Sequence, residues 1–218
     1  MQFPNALEGV KKIHRAEILD LLSGIIALIA AIVAIVSMSA GGEDGGLGGL
    51  LGAGVLLIAV AVLSIIAFIM NIVGLNKGKL DEENFKNALY TVLVGIIASI
   101  LLGAAKEGSF LKDLGETLSS ICRFLCSWYV CTAVISLADR MGDAEMSAKA
   151  LKARKMLMTV WILSIVLEVI SVLLAAFGAG DALAIVSAIL GLAAIVVSII
   201  AYILYLKMLS ASRIMLQR

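Results

Sequence analysis

Six stretches of the chain are apolar at nearly every position, without the alternation of a surface strand. Leu21–Gly42, Gly45–Asn76, Asn87–Ala105 and Ala182–Leu206 contain no charged residue; Thr117–Ala138 contains one, Arg123, and Met156–Gly180 one, Glu168. A helix crossing the roughly 30 Å hydrocarbon core needs about 20 such residues, and each stretch is 19 to 32 long. The pattern therefore predicts transmembrane helices at about 18–40, 48–75, 84–105, 117–138, 156–177 and 182–206. Strands of a membrane barrel alternate apolar and polar positions over about 10 residues, which these runs do not. The expected fold is an all-α integral membrane protein, a six-transmembrane-helix bundle forming a single membrane domain over residues 1–218. The first run exceeds the roughly 7–15 residues of a signal-peptide core and follows Glu17 and Asp20, so it reads as a retained span.

The polar connections suggest a further order. Ser64–Ile69 in the second segment nearly repeats as Ser198–Ile203 in the sixth, and Leu75, Asp81 and Glu83 recur as Leu137, Asp143 and Glu145. Three pseudo-repeated helical hairpins would explain both correspondences, with a pseudo-symmetry axis along the membrane normal; convergent apolar composition is the alternative. Asp81 and Asp143 are expected N-caps, and Gly78 and Gly142 expected left-handed helix stops. The fifth helix should start before its membrane segment, with Lys149, Lys152 and Lys155 on a face that suits lipid headgroups or ordinary cytoplasmic solvation. Between the third and fourth segments, Phe110, Leu111 and Leu114 suit a short interfacial turn.

Composition agrees with the pattern. Hydrophobic residues make up 62% of the chain and charged ones 15%, with a mean hydropathy of +1.10; soluble domains carry about a quarter charged residues. A soluble domain, a disordered chain and a disulfide scaffold are excluded. The net charge of +1 offers nothing to nucleic acid. Its distribution is more informative. Of the 17 basic residues, 14 lie before the first segment, between the second and third, between the fourth and fifth, and after the sixth. Only Lys106 and Lys112 lie on the other face, and Arg123 is inside a segment. Basic residues collect on the cytoplasmic side, so the expected location is the cell membrane, multi-pass, with N- and C-termini cytoplasmic. Termini on one side demand an even number of spans, as the six segments give.

Small residues mark packing faces, because helices in lipid associate by close contact and interhelical hydrogen bonds. Thr91, Gly95, Ser99 and Gly103 follow one another every fourth residue; Ser187, Gly191 and Ser198 share a face of the sixth segment; and Ala27, Ala30, Ala31 and Ala34 cluster in the first. Two intramembrane charges remain, each costing at least about 2.5–3.5 kcal/mol at the membrane centre. With outer ends taken at Thr117 and Phe177, Arg123 lies about 9 Å deep and Glu168 about 14 Å, close enough to pair. Arg123 shares a polar face with Ser120 and Ser127, and Glu168 with Ser164 and Ser171, so a polar site is expected between the fourth and fifth helices. A permanently neutralised pair that only fixes packing is the plainer alternative.

Enzyme chemistry is missing. The one histidine, His14, precedes the first segment; no zinc-protease or phosphate-loop motif occurs, and no span carries the paired aspartates of an intramembrane protease. Cys122, Cys126 and Cys131 lie in one apolar segment, with neither a disulfide framework nor metal-ligand spacing. No catalytic residue, cofactor or metal is expected. The chain reads as a transporter or channel for a small polar solute or ion, or else as a non-catalytic membrane subunit or scaffold packed against a protein partner or a second copy of itself. In span number, size and orientation such a subunit is similar to the substrate-binding membrane subunits of energy-coupling-factor vitamin transporters. The alanine cluster of the first segment would suit their helix docking, but the likeness covers no motif. Topology can be tested directly. Reporter fusions after residues 44, 78, 110, 142, 180 and 218 are expected to alternate outside and inside; two consecutive fusions reporting one side would refute the arrangement.

Overall fold

In a computed structural model the chain folds as six long α-helices in sequence: α1 (Pro4–Ser39), α2 (Glu43–Gly78), α3 (Glu83–Gly103), α4 (Phe110–Arg140), α5 (Ala144–Ala176) and α6 (Asp181–Met215). The structure describes the backbone of residues 2–39, 43–104, 109–176 and 181–218, and their side chains except those of 38–51, 103, 168 and 171–190. The turns at Gly41–Gly46 and Gly178–Asp181, and Lys106, fall wholly or partly outside the described residues. Among those described, five helices are long and apolar enough to cross a membrane: Pro4–Ser37, Gly52–Gly78, Glu83–Leu102, Phe110–Arg140 and Gly191–Met215.

The helices outrun the apolar segments that nucleate them. Pro4 opens α1, where its missing N–H costs nothing, and the polar lead-in to Asp20 is helical throughout. Phe110, Leu111 and Leu114 form the first turns of α4 rather than a separate interfacial turn, and all three are exposed. Arg123 lies 13 residues inside α4, about 20 Å along its axis.

Neighbours in sequence pack most closely, α1 on α2, α3 on α4 and α5 on α6; contacts of α2 with α3, α4 with α5 and α1 with α6 close the set, and α4 also touches α6. Burial is concentrated at one end. There the start of α1, the end of α2, the start of α3, the end of α4, the start of α5 and the end of α6 enclose Leu7, Val10, Ile13, Leu75, Phe85, Val134, Leu137 and Leu209. Towards the other end the helices present Ile25, Leu28, Ile58, Leu101 and Ile195 outward, as helices bathed in lipid do.

The packed end rests on a backbone contact between α1 and α2. A Cβ on Gly9 would fall 2.6 Å from the carbonyl oxygen of Gly74, and one on Gly74 would fall 2.8 Å from that of Gly9. Gly78 accepts the Phe85 ring in the same manner, its Cβ position lying 2.8 Å from the ring. Gly78 is therefore a packing glycine and not the left-handed stop that its place in the chain suggests. Gly142 is that stop, with φ +70°; the Asp143 N–H reaches back to the Ala138 carbonyl at 2.9 Å, as a left-handed helix end requires.

Gly9→Val and Gly74→Val should each destabilise the protein by about 1–3 kcal/mol through overpacking, measured as a lowered unfolding midpoint in detergent. Gly24→Ala, with open space around its Cβ position, is expected to leave the midpoint unchanged. An equal loss at all three positions would refute the close-contact account.

Candidate functional site

Two polar groupings stand out on the helices, one sealing the packed end and one lying beyond it. The first is centred on Glu82, 9% exposed, which caps α3. Its carboxylate accepts hydrogen bonds from Ser136 Oγ at 2.9 Å, Arg140 Nη2 at 2.7 Å and Asn84 Nδ2 at 2.7 Å. Arg140 also donates to the Asp81 carbonyl at 2.9 Å and lies over the Phe3 ring, 4.5 Å from its centroid. Asp81, the expected cap of α3, turns away to α1, where it accepts from the Ala6 N–H at 2.7 Å and Asn5 Nδ2 at 3.0 Å. It thus caps a helix 75 residues earlier in the chain, and Glu82 takes its local place. Asp143 caps its own helix, accepting from the Met146 N–H at 2.9 Å.

The second grouping gathers side chains of α1, α4 and α6 just beyond the packed end. Glu17 follows buried Val10 and Ile13 by seven and four residues, spacings that keep all three on one side of α1. The Tyr202 hydroxyl of α6 lies 2.8 Å from the Glu17 carbonyl and 3.1 Å from its carboxylate, so one O–H is shared between two acceptors. Tyr205, a turn nearer the packed end, is buried with Cys126 and Cys131. Asp20 and Arg123 lie within electrostatic range of the Glu17 carboxylate. Glu17 carries no sign of this role in composition or motif; its heptad relation to Val10 was the readable signal.

Arg123 precedes Val130 and Val134 by seven and eleven residues, and both valines are fully buried. The spacing sets Arg123 on the same side of α4 as those valines, yet its side chain is exposed, between two contacts made by its neighbours. Cys122 abuts Gly95 of α3, whose Cβ position lies 2.9 Å from Cys122 Cβ. Phe124 stacks on Trp161 of α5 with centroids 4.9 Å apart and planes 11° apart. A cavity of about 380 Å³ runs from Arg123 along α4, lined by Ser99, Lys112, Glu116, Ser119 and Ser120. The Ser99 hydroxyl donates to Ser119 Oγ across α3 and α4 at 3.2 Å.

The α4–α5 contact itself is aromatic. Besides the Phe124–Trp161 stack, Arg154 lies 4.9 Å from the Trp128 ring centroid. Ser127 and Ser164 spend their hydroxyls on carbonyls of their own helices, Arg123 and Val160, at 3.3 and 3.0 Å. Thr91 and Ser198 do likewise with Asn87 and Ala194, at 2.6 and 2.8 Å, and Gly191 has open space at its Cβ position. The side chains of Glu168, Ser171 and Ser187, and the surroundings of Gly103, lie outside the described residues. With Phe124 opposite Trp161, the antiparallel register sets backbone position 168 level with residue 117, about 9 Å along the axis from Arg123. Among the described residues no three His, Cys, Asp or Glu side chains gather as a metal site. Cys122, Cys126 and Cys131 are buried thiols.

Compared with known proteins, the chain matches no family model, no curated protein and no solved structure.

The Glu82–Arg140 pair generates a prediction for the sealed end. Arg140 is 44% exposed, so Glu82→Gln and Arg140→Gln should each cost about 1–2 kcal/mol, the lower part of the range for charged hydrogen bonds. The double variant should cost less than the two losses combined by about 0.5 kcal/mol or more. Strict additivity in unfolding midpoints would show that the pair is not coupled.

Proposed function

We propose that this is a six-span protein of the cell membrane with both termini cytoplasmic, built from three hairpins, and that it binds or moves a small polar solute or ion. The observation that carries the solute reading is the Tyr202–Glu17 contact, with Arg123 in electrostatic range of it, immediately beyond an end sealed by packed side chains. Intramembrane charges that face a bundle interior mark solute and ion paths more often than they mark packing. The basic residues of the sealed end make it the cytoplasmic side, so the polar interior is entered from outside.

The rival is a partner subunit or scaffold in which Glu17, Tyr202 and Arg123 only hold helices together. Solute-dependent stability separates the two. In detergent, sodium succinate, potassium chloride and sorbitol are titrated against the unfolding midpoint. At least one is expected to raise it, by about 5 °C at a hundredfold excess over Kd. Glu17→Gln should remove or weaken that rise while the variant stays folded without solute. A midpoint that none of the three moves, or a rise unchanged in Glu17→Gln, would refute the solute reading of this grouping.

A further inference from the structure

We propose that the cavity between α3 and α4 is a site for a small oxyanion, a carboxylate or phosphate, with Arg123 as the group that recognises it. The inference rests on the solute reading above and names the class of solute.

Arg123 brings five N–H donors in a planar fork that matches the two oxygens of a carboxylate or phosphate. Among the described residues its guanidinium makes no hydrogen bond or ion pair. Arg140 and Arg154, by contrast, are committed to Glu82 and to Thr132 and Trp128. The Arg123 side chain is exposed and lines the cavity, and the Glu17 carboxylate within its electrostatic range is engaged by Tyr202.

The rest of the lining favours the same ligand. Ser119 Oγ accepts the Ser99 proton, which leaves the Ser119 proton to be donated elsewhere. Ser120 is exposed beside it, so the hydroxyls add donors to those of Arg123. Arg123 shares the lining with Glu116 and Lys112. Glu116 and Lys112 lie about 10 and 16 Å further along the helix, which puts Arg123 at the inner end of the cavity. A volume of about 380 Å³ lies at the small end of the range for ligand sites and suits a compact anion. A soluble oxyanion and the phosphate of a lipid headgroup share this chemistry, and the membrane supplies the second.

Trp161, stacked on the residue next to Arg123, provides the readout. The full chain is placed in phosphatidylcholine nanodiscs, and tryptophan emission is followed during titration with succinate, inorganic phosphate, potassium chloride or sorbitol at matched ionic strength. A parallel sample carries phosphatidylglycerol. Succinate or phosphate is expected to change the emission saturably. Arg123→Gln should weaken that binding tenfold or more, and Lys149→Gln, at the sealed end, should not alter it. Should Arg123→Gln fail to fold, Ser120→Asp supplies the same test by placing a negative charge in the lining, again with a loss of tenfold or more.

Saturation unchanged in these variants, or seen with potassium chloride or sorbitol alone, overturns the oxyanion assignment; the second outcome leaves the solute reading standing. An Arg123-dependent response to phosphatidylglycerol alone keeps the oxyanion site and overturns the solute reading. No response to any probe overturns the oxyanion assignment.

Discussion

Two helices can touch backbone to backbone only where neither has a Cβ in the way, and α1 and α2 meet in this manner at Gly9 and Gly74. Hydrophobic burial adds little to helix association in lipid, so closeness of fit must hold the pair. Much else is referred to this crossing. It sets the height of α1 against the α2–α3 turn, which brings Asp81 to the free N–H of Ala6. It aims Leu7, Val10 and Ile13 at Leu75 and Phe85. It also places Glu17 at the edge of the packed end, where Tyr202 of α6 can reach it.

α4 is the hub, and each of its faces has a different chemistry. The face holding Gly115 and Cys122 is shaped for the close approach of α3, meeting Leu102 and Gly95. Phe124 and Trp128 are committed to aromatic contact with α5 and its Arg154. The third face is apolar and buried at Val130 and Val134 and polar further out at Ser120 and Arg123. One helix thus separates a sealed end from a polar cavity with no break in its backbone. The change lies in the residue types that succeed one another at heptad spacing.

The helices were legible in the sequence because continuous apolarity over 20 or more residues is a strong, local signal. Their ends were less so. The lead-in of α1 and the first turns of α4 are polar or mixed, and only tertiary contact or capping makes them helical. The cap at Asp143 was readable, since its partner lies three residues away. The partner of Asp81 lies 75 residues away, and nothing local announces it. For the same reason Gly74 passed as an ordinary residue of an apolar run and Gly78 as a helix stop; their meaning is in the helices laid against them. Arg123 was conspicuous as a lone charge, whereas Glu17, just before an apolar run, counted only against a cleaved signal peptide. Its inward face depends on Val10 and Ile13 being core, which spacing suggests but only packing establishes.

The Tyr202–Glu17 contact joins positions 185 residues apart, and this distance has a consequence for biogenesis. α1 and α2 can form their glycine crossing as soon as both are made, since the hairpin is local. Glu17 then has no α6 to meet until four further helices have been synthesised, so in the growing chain it must be satisfied by water or headgroups at the membrane edge. The sealed end is therefore the last part of the molecule to close. Until then the apolar residues it hides are open to non-native helices or to membrane chaperones, as the exposed surfaces of late-assembling proteins are.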